Sequence, residues 1–172
     1  MVARRSIWLY GNEPVPSKLT WLGDERIAVG AVPTTASVLD LPAHGVTHVV
    51  NCRARPQTMI SRDLIVERAL FGRSRVVAAP MWDHGRAQPP RLWSGAAHFA
   101  ARALDDDPDA RVLIHCHQGR RRSVLVAYAV LRLRGRSAED AARLILHHRR
   151  EAELVPAYRT SVERWLAADP TR

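Results

Sequence analysis

The chain has 172 residues, 47% hydrophobic and 25% charged, with two cysteines and a formal net charge of +9. This length and apolar content suit one compact core, two cysteines do not make a disulfide-stapled secreted domain, and no apolar run approaches the ~18 residues of a membrane span. Lys18 is the single lysine among 26 Lys and Arg, so 25 arginines carry the charge, which reads either as base composition of the genome or as attraction to anionic partners.

In chain order, residues 1–18 read as an N-terminal arm ahead of one domain over 19–172; Ile7-Trp-Leu-Tyr10 is too short for a signal-peptide core. Residues 26–30 read as a strand, after which Thr35 or Ser37 is placed to cap a helix ending near Gly45. Residues 46–51 form the next strand, Ser61 opens a helix to Phe71 stopped by Gly72, and 75–79 form a third strand. After a loop over 80–89, Pro90 suits the first position of a helix to about Leu104. That helix exits through Asp105-Asp-Asp-Pro-Asp109, read as solvated charge, into a strand at 111–115. Residues 123–133 are apolar on nearly every side, the pattern of a buried helix. Gly135 closes it, Ser137 with Asp140 makes a capping-box pattern for a helix to about Arg150, and Pro156 opens a last helix ending near Ala168. The alternation predicts an α/β fold with a central, mostly parallel sheet flanked by helices.

The strand at 111–115 runs straight into Cys116-His117-Gln118-Gly119-Arg120-Arg121-Arg122-Ser123 and then into the apolar helix. A turn of this length from strand to helix N-terminus points successive backbone N–H groups inward, where the helix dipole also favours negative charge, so a phosphate-sized oxyanion fits. Arg122 enters the first helical turn, from which its planar guanidinium can grip two oxygens. Cys116 lies in the same field and is expected to be a thiolate. The spacing alone is weak, because arginine is so abundant that any cysteine has about a one-in-seven chance of Arg six positions on. The flanks carry the signal: His115 before, Gly119 where the loop turns tightly, Ser123 after. Cys52 has Thr58 at the same offset and fails the test.

Taken together, His115-Cys116-x5-Arg122-Ser123 resembles the signature loop of the cysteine-dependent protein tyrosine phosphatase superfamily, and best its compact dual-specificity branch. Arg26-Ile-Ala-Val-Gly30, Gly45-Val-Thr-His-Val-Val-Asn51 and Pro80-Met-Trp-Asp83-His-Gly85 resemble that branch as well, so the similarity spans residues 19–166. The resemblance implies a protein tyrosine phosphatase-like fold and two-step phosphoryl transfer through a phosphocysteine, with no metal or other cofactor. It casts Cys116 as nucleophile, Arg122 and the loop amides as phosphate and transition-state binders, and Asp83, 33 residues before Cys116, as general acid and then base. Ser123 would support the leaving thiolate and His115 would orient Cys116, with His84 a weaker stand-in for Asp83.

Inside the loop, Gln118, Arg120 and Arg121 depart from the small or neutral residues of the family. His117, Arg120 and Arg121 read either as a widened cationic mouth, as in lipid head-group phosphatases of the superfamily, or as side chains in solvent; Gln118 is expected to pack. Cys52 follows a strand expected beside that of Cys116 and is a candidate redox partner, a buried apolar cysteine being the alternative. His147-His148 and the His115-Cys116-His117 triplet face different ways on regular structure, so no metal site is expected. The expected substrate is phosphorylated protein, with a phosphoinositide or other lipid or inositol phosphate as alternative. A non-catalytic phosphate- or nucleic-acid-binding module is the reading from another class, and a rhodanese-like sulfurtransferase would have no use for Asp83. A cytoplasmic monomer is expected, with no specific nucleic-acid partner, no membrane span, and a charge that allows peripheral contact with anionic surfaces.

Overall fold

The strands β1 (Lys18–Trp21), β2 (Ile27–Ala31), β3 (His48–Asn51), β4 (Val76–Ala78) and β5 (Val112–Cys116) form one sheet in the order β1-β2-β5-β3-β4. The computed structural model behind this description covers residues 18–32 and 34–168. All pairings are parallel except that of β1 with β2. Central β5 is buried at every position, which is why it reads as a continuous apolar run rather than an alternating one.

Six α-helices accompany the sheet: α1 (Arg55–Ser61), α2 (Asp63–Phe71), α3 (Ser94–Asp106), α4 (Arg122–Leu133), α5 (Ala138–His148) and α6 (Pro156–Ala168). Successive strand residues point to opposite faces, so the sheet carries two cores. On one face Val29, Val50 and Ile114 meet Trp93 and the apolar sides of α3, α4, α5 and α6. On the other, Ala28, Val49 and Leu113 pack with Val38 and Leu41 of a 3-10 helix over Ala36–His44 and with Leu64 and Val66 of α2. Helix α4 is buried from Arg122 to Leu131, as its all-round apolar sequence requires. Ser137 caps α5 by accepting a hydrogen bond from the Asp140 N–H.

The structure corrects several boundaries. Lys18, counted with the arm, begins edge strand β1, which was not anticipated; four residues of mixed character carry too little pattern to announce a strand. The rest of the 1–18 arm, residues 1–17, lies outside the described residues. The helix expected before Gly45 is 3-10 in form, with Pro42 inside it, and Thr35 gives its hydroxyl to the Ser61 carbonyl instead of capping. Ser61 ends a helix rather than opening one: α1 precedes it, and Arg62, in the left-handed region, separates α1 from α2. Pro90 opens only a 3-10 turn, and α3 starts at Ser94.

Because β2, β3, β4 and β5 run parallel, their C-terminal ends share one edge of the sheet. The loop into α4, the link into α1 and the 80–89 loop all leave from that edge, where α/β sheets bind ligands.

Candidate active site

Cys116 ends β5 and is 2% exposed. Its Sγ accepts a hydrogen bond from the Gly119 N–H at 3.1 Å and lies 3.4 Å from the Ser123 hydroxyl oxygen. Burial pushes the thiol up, but the Ser123 hydroxyl, the backbone N–H groups of Ser123 and Gly119 and the Arg122 charge outweigh it, and the thiol pKa falls below its usual value.

The loop's tight path depends on Gly119, which has φ +65. A Cβ there would lie 2.4 Å from the Gly30 carbonyl and 2.7 Å from Arg149 Nη2. Arg149, buried between α5 and α6, donates from Nε to the Gly119 carbonyl at 2.7 Å and from Nη1 to the Thr20 hydroxyl at 3.0 Å. The loop is thereby braced from β1 and from the C-terminal end of α5.

Arg122, 4% exposed, turns inward. Its Nη1 donates to Gln57 Oε1 at 2.8 Å and to the Met81 carbonyl at 3.0 Å, while the buried Nε has no protein partner. One side of the guanidinium is therefore anchored to α1 and to the 80–89 loop, and the Nε edge is left for a ligand oxygen.

Behind Cys116 lies a buried charge cluster. His115 Nε2 sits 2.7 Å from Glu67 Oε1, and Arg53 Nη1 donates to Asp63 at 2.8 Å. The Asn51 amide bridges both carboxylates, and the Ser61 hydroxyl donates to Asp63. Burial alone would push the His115 imidazole down, but the Glu67 carboxylate, then Asp63 and the charge on Cys116, raise it. With His115 protonated, two carboxylates face two cations and the cluster is neutral, the arrangement that burial demands.

Asp83 lies in the 80–89 loop, its Oδ1 accepting a long hydrogen bond of 3.4 Å from Tyr158 and standing 3.9 Å from Arg121 Nη1. The Tyr158 hydroxyl also accepts from the Gly85 N–H and from Gln88, so α6 holds this loop in place. His84 is exposed and accepts from the Arg86 N–H.

His117 is exposed, and burial of part of the ring together with the charges of Arg53 and Arg122 lowers its pKa, favouring neutral imidazole. Gln118 is exposed and does not pack. Arg120 and Arg121 neither reach into the loop's concavity nor dangle: both grip Glu153 in the α5–α6 connection, Arg121 at 2.6 Å. Glu153 offsets one of their two charges, and Asp83 stands 3.9 Å from Arg121 against the other. Cys52 is fully buried just past the C-terminal end of β3, beside β5, its N–H donating to the His115 carbonyl at 2.8 Å; both cysteines are free thiols, and burial pushes the Cys52 thiol well up.

Sequence reading missed Arg53, Gln57, Glu67 and Arg149. Asp63 and Glu67 stand four apart on a helix otherwise apolar on its inner side, and Gln57 three after Ala54 with Pro56 between is a helix-start pattern. Arg149 carries no local signal, being 30 residues from the carbonyl it braces.

No protein-family model matches the sequence, and no curated protein matches it. Solved structures do. The kinase associated phosphatase, with its catalytic-site cysteine replaced by serine, superposes with TM-score 0.74 at 19% identity, covering 91% of this chain and 99% of that one. Tk-PTP in its active form gives TM-score 0.71 at 20% identity over 88% and 98%. PTPMT1 in complex with PI(5)P gives 0.69 at 19% over 83% and 90%. The fold is the one these phosphatase structures share.

Proposed function

From this shared fold and the loop it carries, we propose that the chain is a cysteine-dependent phosphatase of the dual-specificity type, hydrolysing phosphomonoesters of phosphorylated proteins. The observation that supports it most is the depressed Cys116 thiol, held under the Gly119 N–H and the Ser123 hydroxyl while Arg122 is locked beside the same loop.

In the proposed reaction the Cys116 thiolate attacks phosphorus and the ester P–O bond breaks. Asp83, as the acid form, gives its proton to the leaving oxygen. Loop amides and the Arg122 guanidinium bind the three non-bridging oxygens, where charge is spread in the transition state. Asp83, now carboxylate, takes a proton from water; the oxygen attacks phosphorus, the P–S bond breaks, and Ser123 donates a hydrogen bond to the departing thiolate. His115 acts on Cys116 from behind rather than on substrate.

A phosphoinositide substrate is the second reading, favoured by the likeness to PTPMT1 solved with PI(5)P. Protein comes first because the two extra arginines that would meet a further phosphate are engaged by Glu153. Cys52 is proposed as redox partner: peroxide would convert Cys116 to the sulfenic acid, which Cys52 would attack to give a disulfide and water. A thiolate nucleophile suits a reducing compartment such as the cytoplasm. Among the described residues no helix is long and apolar enough to cross a membrane.

Purified protein assayed on phosphopeptides and phosphoinositides side by side tests the reading. Cys116→Ser should abolish turnover on every substrate, and Asp83→Asn should lower kcat by about 10²–10⁴-fold. Hydrolysis surviving Cys116→Ser would remove the covalent route, and phosphate binding without turnover would identify a binding module instead.

A further inference from the structure

Between residues 53 and 75 the surface carries cations and apolar side chains but no anion. The segment's only carboxylates, Asp63 and Glu67, are both fully buried in the cluster behind Cys116. Arg55, Arg62 and Arg73 are exposed and Arg68 partly so, and none of the four makes an ion pair among the described residues. Elsewhere Arg120, Arg134, Arg136 and Arg143 are paired, while among the described residues the exposed Arg86, Arg91, Arg102 and Arg164 make no ion pair; what sets the 53–75 segment apart is that its free arginines are accompanied by strongly exposed apolar side chains and by no exposed carboxylate. Among these free cations stand three large apolar side chains, Met59 at 75%, Ile60 at 86% and Ile65 at 65% exposure.

The patch has a definite place. Helix α1 leaves the C-terminal end of β3, the edge that bears Cys116, and its Gln57 holds Arg122. Trp82, 56% exposed, stands on the 80–89 loop that leaves the same edge. Side chains this exposed at the end of a short helix protrude; they do not line a groove for a peptide. A second copy of this chain would set unpaired arginines against themselves. A nucleic acid would satisfy the arginines and leave Met59 and Ile60 in water. An anionic bilayer satisfies both, with phosphates for the guanidiniums and an interfacial layer that accepts apolar tips a few ångströms deep.

We propose that the exposed face of α1 and α2 is a docking surface for anionic lipid bilayers, with Met59, Ile60 and Ile65 inserting at head-group depth and Arg55, Arg62 and Arg68 pairing with lipid phosphates. Docked this way, the site edge of the sheet faces the membrane. This concerns where the protein works, not which ester it cleaves, and it stands without the phosphatase reading.

Co-sedimentation of the full chain with vesicles of phosphatidylcholine alone, and of phosphatidylcholine with about one third phosphatidylglycerol, tests it. Partition onto the anionic vesicles should exceed that onto neutral ones at least about tenfold. The Met59→Asp/Ile60→Asp pair and the Arg55→Glu/Arg62→Glu pair should each lower it by about tenfold or more. Both should keep the parental far-UV circular dichroism and melting temperature, which shows that they fold, and hydrolyse p-nitrophenyl phosphate at the parental rate. Equal binding to both vesicle types, binding to neither, or a concentration-dependent dimer abolished by the same substitutions would overturn the proposal. So would an apolar-pair variant that binds like the parent, since that is attraction of charge alone. Loss of docking with intact hydrolysis leaves the proposed activity untouched, and absent hydrolysis with intact docking leaves this surface untouched.

Discussion

At the scale of single residues, the proposed chemistry turns on how a nearly buried thiol is drawn toward its ionised form. Burial opposes the charge, and the Ser123 hydroxyl with the Gly119 N–H at 3.1 Å reverses it. The charge on Cys116 favours protonated His115, and electrostatic coupling is reciprocal, so protonated His115 favours the thiolate in turn. Glu67 is the residue that does most to raise His115. Ser123→Ala and Glu67→Gln are each expected to move the thiol titration, followed by the pH dependence of iodoacetamide alkylation, upward by about one pH unit. An unmoved midpoint in the Glu67 variant would reduce that residue to scaffolding. The two groups act on stability in opposite pH directions. The raised His115 contributes fully below about pH 6.5, its ordinary value, and that contribution is lost as pH rises through its folded value. The lowered Cys116 contributes above its ordinary thiol value and loses that contribution as pH falls through its folded one.

At the scale of elements, the connection between α5 and α6 supports the loop it faces. Arg149 braces the Gly119 carbonyl, the Glu153 N–H donates to the Arg120 carbonyl, and the Glu153 carboxylate holds both Arg120 and Arg121. Hydrogen bonds from Arg121 draw the Glu153 carboxyl below its usual range, so the clamp is complete above that range and released as pH falls through the folded value. Glu153→Gln should free Arg121 beside Asp83, lowering KM for doubly phosphorylated substrates by about threefold while leaving singly phosphorylated ones nearly unchanged. Steady-state kinetics at fixed salt checks this; an equal shift on both would show a general rearrangement of the loop. Most elements around the site were legible because their signals are local: the strand before Cys116, the all-apolar α4, the Ser137 cap. Helix α1 was not, since Arg55 precedes a proline, a position that usually stays extended. The structure keeps it helical by placing Pro56 in the first turn, where no N–H is needed, and by turning the Gln57 side chain back onto the Ala54 N–H.

At the scale of the whole molecule, β5 is the shared wall of two cores. Leu113 faces the side covered by α2 and the 3-10 helix, and Ile114 faces α3 and α4; both are fully buried. Leu113→Ala and Ile114→Ala are therefore expected to lower the unfolding free energy by similar amounts, each about 2–5 kcal/mol, in urea titration. A small loss at Leu113 alone would mean that the α2 face is only loosely covered. That coverage bears on the proposed function as well, because α2 brings Glu67 and Asp63 beneath the end of β5 that carries Cys116.

The sequence by itself determined the class of fold, the loop from Cys116 to Ser123 and the burial of α4, because strand and helix periodicity and loop chemistry are written within a dozen neighbouring residues. Only the tertiary structure decided which charges surround that loop. Arg53, Gln57, Glu67, Arg149 and Glu153 come from segments up to 65 residues away, and pairing between such distant side chains depends on how strands are ordered in the sheet. It also decided that Arg120 and Arg121 serve Glu153 while Arg55 and Arg62 remain free. A charge count cannot separate a paired arginine from an unpaired one; the distance to a carboxylate does.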